Sequence, residues 1–136
     1  MRAPFVNTLI ETITATESKI RNRPFRSLCE ELSPHDLMAA CEELDAFRRS
    51  ADNLYERVRA TMFLYAAYRF SLQECPAFPD TGTIPFDGFR DLLGRRFEEA
   101  IDCFRASLKR HGPNAALFSA LAEAYHHHSF QTLCDQ

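Results

Sequence analysis

Three consecutive histidines, His126, His127 and His128, are the residues that most suggest chemistry in this chain. Imidazole nitrogens bind transition metals, and a helix brings two ligands together when they are three or four residues apart. Successive helical residues point about 100° apart, so three in a row cannot converge on one ion. Glu123 has the right spacing to His126 and His127, but two ligands without a third make a weak site. The sequence therefore predicts neither a metal site nor a cofactor.

The other residue types used in catalysis show no arrangement that is typical of an active site. The five cysteines are odd in number and none forms a C-x-x-C pair, which argues against a disulfide framework or a zinc knuckle. Glu98 and Glu99 are adjacent, so on a helix their carboxylates point apart and cannot act on one substrate atom. The sequence contains neither a phosphate-binding glycine loop nor a G-x-S-x-G motif. We therefore expect a protein that is not an enzyme.

The composition is that of an ordinary globular domain. The chain has 136 residues, of which 46% are hydrophobic, and a net charge of −3 at pH 7, which argues against a protein that coats nucleic acid. The basic residues between Lys19 and Arg26 are an exception; we interpret them as a charged helix end, and weak nucleic-acid binding is the less favoured alternative. The apolar run 60–72 is too short to span a bilayer. With free cysteines, these features predict a cytoplasmic protein that does not contact membranes.

Apolar residues recur at helical spacing along most of the chain, and alternating strand patterns are absent. Ser33 and Pro34 form a typical helix start, and Gly112 with Pro113 forms a typical helix end. The predicted helices span about 5–20, 24–32, 34–50, 53–72, 88–93, 95–111 and 115–127, and a last one begins near 129.

Three further features of these helices follow from the pattern. The helix at 53–72 is apolar nearly all round, which predicts a place at the centre of the domain. Asp45 and Arg49 are spaced to pair on the outside of the helix at 34–50. Gly94 predicts a kink or a junction between two helices.

The sequence predicts one all-helical domain over 1–136 with a long proline-containing loop at about 73–87. A loop of this length is either functional or mobile. Its apolar residues Phe78, Ile84 and Phe86 either dock back on the core or capture a partner, and Phe78 is a candidate partner contact. Because no stop signal follows the last helix, we also consider that the chain is the N-terminal part of a longer protein.

The segment at about 97–130 resembles a tetratricopeptide repeat (TPR), a helix pair with W-x2-L-G-x2-Y in its first helix and A-x3-F in its second. Six residues carry the match, which are Phe118, Leu121, Ala122 and Tyr125 in first-helix positions and Ala100 and Phe104 in second-helix positions. The two halves have the phase that the family requires. Phenylalanine and alanine replace the tryptophan and glycine of the pattern, and the helix-ending proline is displaced by one residue.

The resemblance implies an all-α fold, an irregular stack of antiparallel helical hairpins that is TPR-like in its C-terminal half. In that family the first helices line a concave surface that mostly binds peptides or proteins. Carried over to this chain, the pattern places Ser119, Glu123, His126 and His127 on that surface as partner contacts. It also makes the histidines the end of a first helix and the turn into its partner.

These observations predict a non-catalytic protein–protein interaction module, an adaptor or scaffold with a protein or peptide partner. The alternative is a regulatory or dimerisation domain at the N-terminus of a larger multidomain enzyme, and a homodimer is compatible with either. More TPR-like units beyond Gln136 would favour the first function, and a catalytic motif there would favour the second.

Overall fold

The computed structural model describes residues 7–134, which form eight α-helices and no strand. The helices are α1 Thr8–Thr14, α2 Ser18–Arg21, α3 Phe25–Glu30, α4 Pro34–Ser50, α5 Leu54–Ala66, α6 Phe86–Leu93, α7 Phe97–His111 and α8 Ala115–Cys134. A π-helical segment, Ala67–Leu72, continues α5 without a break. The predicted all-α class is therefore confirmed. None of the helices within this described part is long and apolar enough to cross a bilayer.

Several helix ends follow from local side-chain chemistry. The Ser33 hydroxyl accepts a 3.1 Å hydrogen bond from the Asp36 amide, and the Asn53 side chain caps α5 by accepting one of 3.1 Å from the Glu56 amide. Gly112 ends α7 with a φ of 87°, a left-handed conformation that favours glycine. The ends at Ser33 and Gly112 confirm the positions that the sequence predicts.

The predicted helix at 5–20 is divided into α1 and α2, and residues 5 and 6 lie outside the described part. The hydroxyls of Thr12 and Thr14 donate to backbone carbonyls one turn earlier, and Ala15 is extended with ψ of 136°. Threonine is a weak helix former because its branched side chain is restricted in a helix. The helix therefore ends where its threonines are concentrated.

The predicted turn after His127 is wrong, because α8 runs without interruption from Ala115 to Cys134. No glycine or proline follows Pro113, so nothing in the sequence breaks the helix. The Ser129 hydroxyl donates to the His126 carbonyl at 2.7 Å, which satisfies it inside the helix. The histidines consequently lie in the second half of a helix.

The core is centred on α5 and α8, which pack against each other and against α4, the π-helical segment and α7. Its largest fully buried side chains include Tyr68, Tyr125, Phe104 and Phe118. The rings of Tyr68 and Tyr125 stack with centroids 5.9 Å apart. The central position predicted for α5 is thus correct.

The segment between the π-helical segment and α6 is irregular, as the prolines predict, and only part of it docks on the core. Phe78 is 8% exposed and its ring lies edge-on to Phe118 at 5.3 Å. The Ala115 amide donates to the Pro79 carbonyl at 2.8 Å, which ties this segment to the start of α8. Phe78 is therefore a core residue, and its interpretation as an accessible partner contact is corrected.

Helix α6 lies unusually close to α7. Gly88 is buried, and a Cβ atom added there would come within 2.5 Å of the Phe104 ring. Gly94 caps α6, and Arg95 adopts a φ of 61° before α7 begins. This agrees with the junction predicted at Gly94. Because glycine has no side chain at position 88, the backbone of α6 can lie directly against the Phe104 ring of α7.

Candidate functional site

The candidate site is a groove between two helix faces. One face carries Tyr65, Arg69 and Gln73, which follow at intervals of four residues along α5 and its π-helical continuation. The lining of the opposite face comes from α8, namely Ser119, Ala122, Glu123, His126 and His127. Together these residues line an open groove of about 380 Å³. We refer to it as the α5–α8 groove.

Aromatic side chains form one wall of the α5–α8 groove. The Tyr65 and His126 rings are 4.9 Å apart between centroids, and Phe130 lies edge-on to His126 at 5.1 Å. Phe70 lies edge-on to Tyr65 at 6.0 Å. Phe70 and Phe130 are both more than half exposed, so the aromatic wall continues onto the surface. Such a wall can pack against apolar or planar side chains of a partner.

Polar groups supply the rest of the groove. Arg69 donates from Nη1 to the Gln73 side chain at 3.3 Å, and among residues 7–134 no carboxylate forms an ion pair with it. Glu123 lies 3.5 Å from the Nε2 atom of His127. The groove therefore presents the Arg69 cation on one side and the Glu123 carboxylate on the other. Gln73, Ser119 and the histidines add further hydrogen-bonding groups.

The three histidines have different surroundings. His126 packs on Tyr65, whereas the His127 ring stacks on Phe97 with centroids 5.7 Å apart. The Nε2 atom of His128 lies 3.8 Å from a carboxylate oxygen of Glu98. No group of three or more histidine, cysteine or acidic side chains suited to a metal ion occurs within the described chain. The three histidines therefore lie on one helix but in three different surroundings.

The His128 side chain is more buried than that of His127, 15% against 44% exposed. Burial lowers its pKa, the charges of Arg48 and Arg57 lower it further, and the Glu98 carboxylate opposes these effects only in part. The neutral form of His128 is therefore favoured in the folded protein.

A second polar cluster lies below the surface, where Asp45 of α4 is 1% exposed. Its Oδ1 atom accepts hydrogen bonds from the Tyr125 hydroxyl at 2.7 Å and from Arg48 Nε at 2.8 Å. Its Oδ2 atom lies 2.9 Å from Arg49 Nε and 3.1 Å from Arg105 Nη1. Both oxygens of a buried carboxylate are thus satisfied, as a buried charge requires.

Two bidentate ion pairs extend this cluster and connect α4 to α7. Arg48 donates to both carboxylate oxygens of Glu98 at 3.1 and 2.6 Å, and Arg105 donates to both oxygens of Glu42 at 3.3 and 2.5 Å. Burial alone would raise the pKa of Glu98, but the hydrogen bond and charge of Arg48 outweigh it and lower the pKa. We interpret this Asp45 network as the element that holds α4, α7 and α8 in register.

The sequence indicated only a small part of the Asp45 network. The predicted pair of Asp45 and Arg49 exists at 2.9 Å, but the prediction that it lies on the outside of α4 is wrong. Asp45 follows Leu37 and Cys41 at four-residue intervals, so it continues the buried stripe of α4. A carboxylate on an apolar stripe was the signal that could have revealed it.

The basic residues between Lys19 and Arg26 are partly neutralised. Arg23 pairs with Glu31 at 2.5 Å, and Arg26 lies 3.4 Å from Glu30 on the same helix. These pairs support the interpretation as a solvated, charged helix end.

The sequence and structural comparisons do not add a family. Searches against protein-family models, curated proteins and solved structures return no match to this chain.

Proposed function

We propose that this chain is a non-catalytic interaction module, an adaptor or scaffold that binds a protein or peptide partner in the α5–α8 groove. The observation that carries the proposal is that Ser119, Glu123, His126 and His127 share one cavity with Arg69. These four residues are the partner contacts that the repeat pattern predicts.

The size and polarity of the groove favour a peptide. A volume of about 380 Å³ suits a few side chains of a partner and is near the low end of ligand clefts, about 300–1,000 Å³. Small-molecule pockets are lined predominantly by apolar side chains. This groove is lined mostly by polar ones, with Tyr65 and His126 as aromatic packing surfaces. Hydrogen bonds to a peptide backbone and one or two anchored side chains fit that lining best.

The TPR-like arrangement of α7 and α8 is part of the same proposal. Two observations support it: the residues at its pattern positions, including Ala100, Phe104, Ala122 and Tyr125, are buried, and α7 packs along α8. Small residues at Ala100 and Ala122 permit close helix packing. The uninterrupted length of α8 departs from the family pattern, in which a turn follows the first helix.

The proposal is tested with a random-peptide phage library as the probe. Peptides selected on the wild-type chain are measured by fluorescence polarisation against Glu123→Lys and against Glu99→Lys, a charge reversal at an exposed position of α7. We expect at least about tenfold weaker binding to Glu123→Lys, because a carboxylate is replaced by a second cation in the groove that already holds Arg69. Glu99→Lys should bind like the wild type. Equal binding by both variants, or no peptide enrichment at all, would contradict the proposal.

A further inference from the structure

The outer face of α6 is apolar and uncovered. Phe86, Phe89 and Leu93 are 72%, 45% and 69% exposed, and their spacing of three and then four residues places them on one side of the helix. Gly88 and Leu92 occupy the opposite side, where Gly88 contacts α7 and Leu92 packs on the core. Helix α6 therefore directs its largest apolar side chains away from its own domain.

We propose that this face binds a second copy of the chain, so that two α6 helices pack antiparallel about a two-fold axis. This inference concerns a surface other than the α5–α8 groove and does not depend on the groove's function. A two-fold interface is isologous: each contact made by one copy is repeated by the other. The face must therefore be complementary to itself.

The charges that flank the apolar face are self-complementary. Asp87 and Arg90 lie beside it, both largely exposed, and are only loosely paired with each other at 3.5 Å. In an antiparallel arrangement, the two-fold axis crosses the outer face of α6 at the level of residues 88 and 89. Asp87 of each copy then faces Arg90 of the other. The same register brings Leu93 to the N-terminal end of the second copy's α6, next to the segment that carries Ile84, which is 41% exposed, and brings the phenylalanines together at the centre. A single antiparallel register thus pairs opposite charges and also brings the apolar side chains of the two copies into contact.

The exposed area fits a reversible dimer. Taking about 200 Å² for a fully exposed large side chain, Ile84, Phe86, Phe89 and Leu93 expose on the order of 400 Å² of apolar surface per copy. With the stems of Asp87 and Arg90, the total buried by two copies is about 1,000 Å², the lower limit for a specific interface. Small interfaces of this kind are typical of weak, transient association, so we expect a dissociation constant on the order of 10 µM or higher.

Sedimentation equilibrium on the full chain tests the dimer directly. Between about 5 µM and about 500 µM at low salt, the average mass should rise from 15.6 kDa towards twice that value. Leu93→Lys should weaken association at least about 30-fold, because each dimer buries the new charge twice. Met62→Lys, at an exposed apolar position of α5, is the matched control and should associate like the wild type. Far-UV circular dichroism of each variant should be unchanged, since these side chains are exposed.

A charge exchange tests the register. Asp87→Arg and Arg90→Asp each place like charges opposite one another, so each variant alone should associate about tenfold more weakly. Mixed together, the two variants should recover the wild-type dissociation constant, because every position then faces an opposite charge. A chain that stays monomeric over the whole range would overturn the proposal. So would dimers that Leu93→Lys leaves intact, or variants that fail to recover on mixing.

Discussion

Replacing Asp45 with asparagine should be one of the most destabilising isosteric changes in this protein. The substitution keeps the shape of the side chain, removes its negative charge and replaces one acceptor oxygen with an NH₂ donor. The Oδ1 partners Tyr125 and Arg48 can still donate to an amide oxygen. On the other side, the new NH₂ group would face the N–H donors of Arg49 and Arg105, which now lie 2.9 and 3.1 Å from Oδ2.

The magnitude follows from burial. Removing one partner from a buried ion pair costs about 3–5 kcal/mol, because the remaining charges stay buried without compensation. A domain of this size is stable by about 5–15 kcal/mol, so Asp45→Asn should remove a large part of the free energy of unfolding. The measurement is urea unfolding at pH 7 followed by far-UV circular dichroism, in which the midpoint falls and the slope stays constant.

Asp102→Asn is the matched control. Asp102 lies 2.7 Å from Arg49 and 3.7 Å from Arg105, two of the same arginines, but its side chain is 56% exposed. Exposed ion pairs contribute only about 0–1 kcal/mol, so Asp102→Asn should change the free energy of unfolding by less than about 1 kcal/mol. If the two substitutions cost the same, the reasoning that burial makes the Asp45 network a major contribution to stability is refuted.

Two further predictions concern pH and backbone conformation. The folded-state pKa of Glu98 lies below its ordinary value of 4.5, so its contribution to stability is present above pH 4.5 and is lost as the pH falls through the folded pKa. Glu98→Gln should therefore be less stable than the wild type at neutral pH, and the gap should narrow in urea titrations below pH 4.5; a constant gap would contradict this. Gly112→Ala should cost about 1–2 kcal/mol in thermal unfolding, because its φ of 87° is strained for alanine although no atom lies near the added Cβ. Gly112→Asn should cost about as much, because a ψ of 163° lies outside the left-handed helical region that asparagine tolerates; wild-type stability of both variants would show that the backbone conformation at 112 is not strained.

The local features of the fold could be predicted from the sequence because they depend on neighbouring residues. The cap at Ser33, the glycine end of α7 and the junction at Gly94 each involve groups within one helical turn. Four of the five α8 residues that line the groove, Ser119, Glu123, His126 and His127, had been placed on one helix face by the repeat resemblance. Arg69 and Tyr65 were not, because which helix covers that face is set by long-range packing.

The sequence by itself determined the helical class, most helix boundaries and the shared face of Ser119, Glu123, His126 and His127, because periodicity and capping are local properties of the chain. Only the tertiary structure decided the Asp45 network, the burial of Phe78 and the outward direction of α6. Each of these depends on residues far apart in the chain: Asp45 meets Tyr125, and Gly88 meets Phe104. A periodic pattern identifies the apolar side of α6, but it does not reveal that Gly88 turns the opposite side towards α7. The packing of the whole chain determines which side of α6 faces α7, and it leaves Phe86 and Leu93 exposed to solvent.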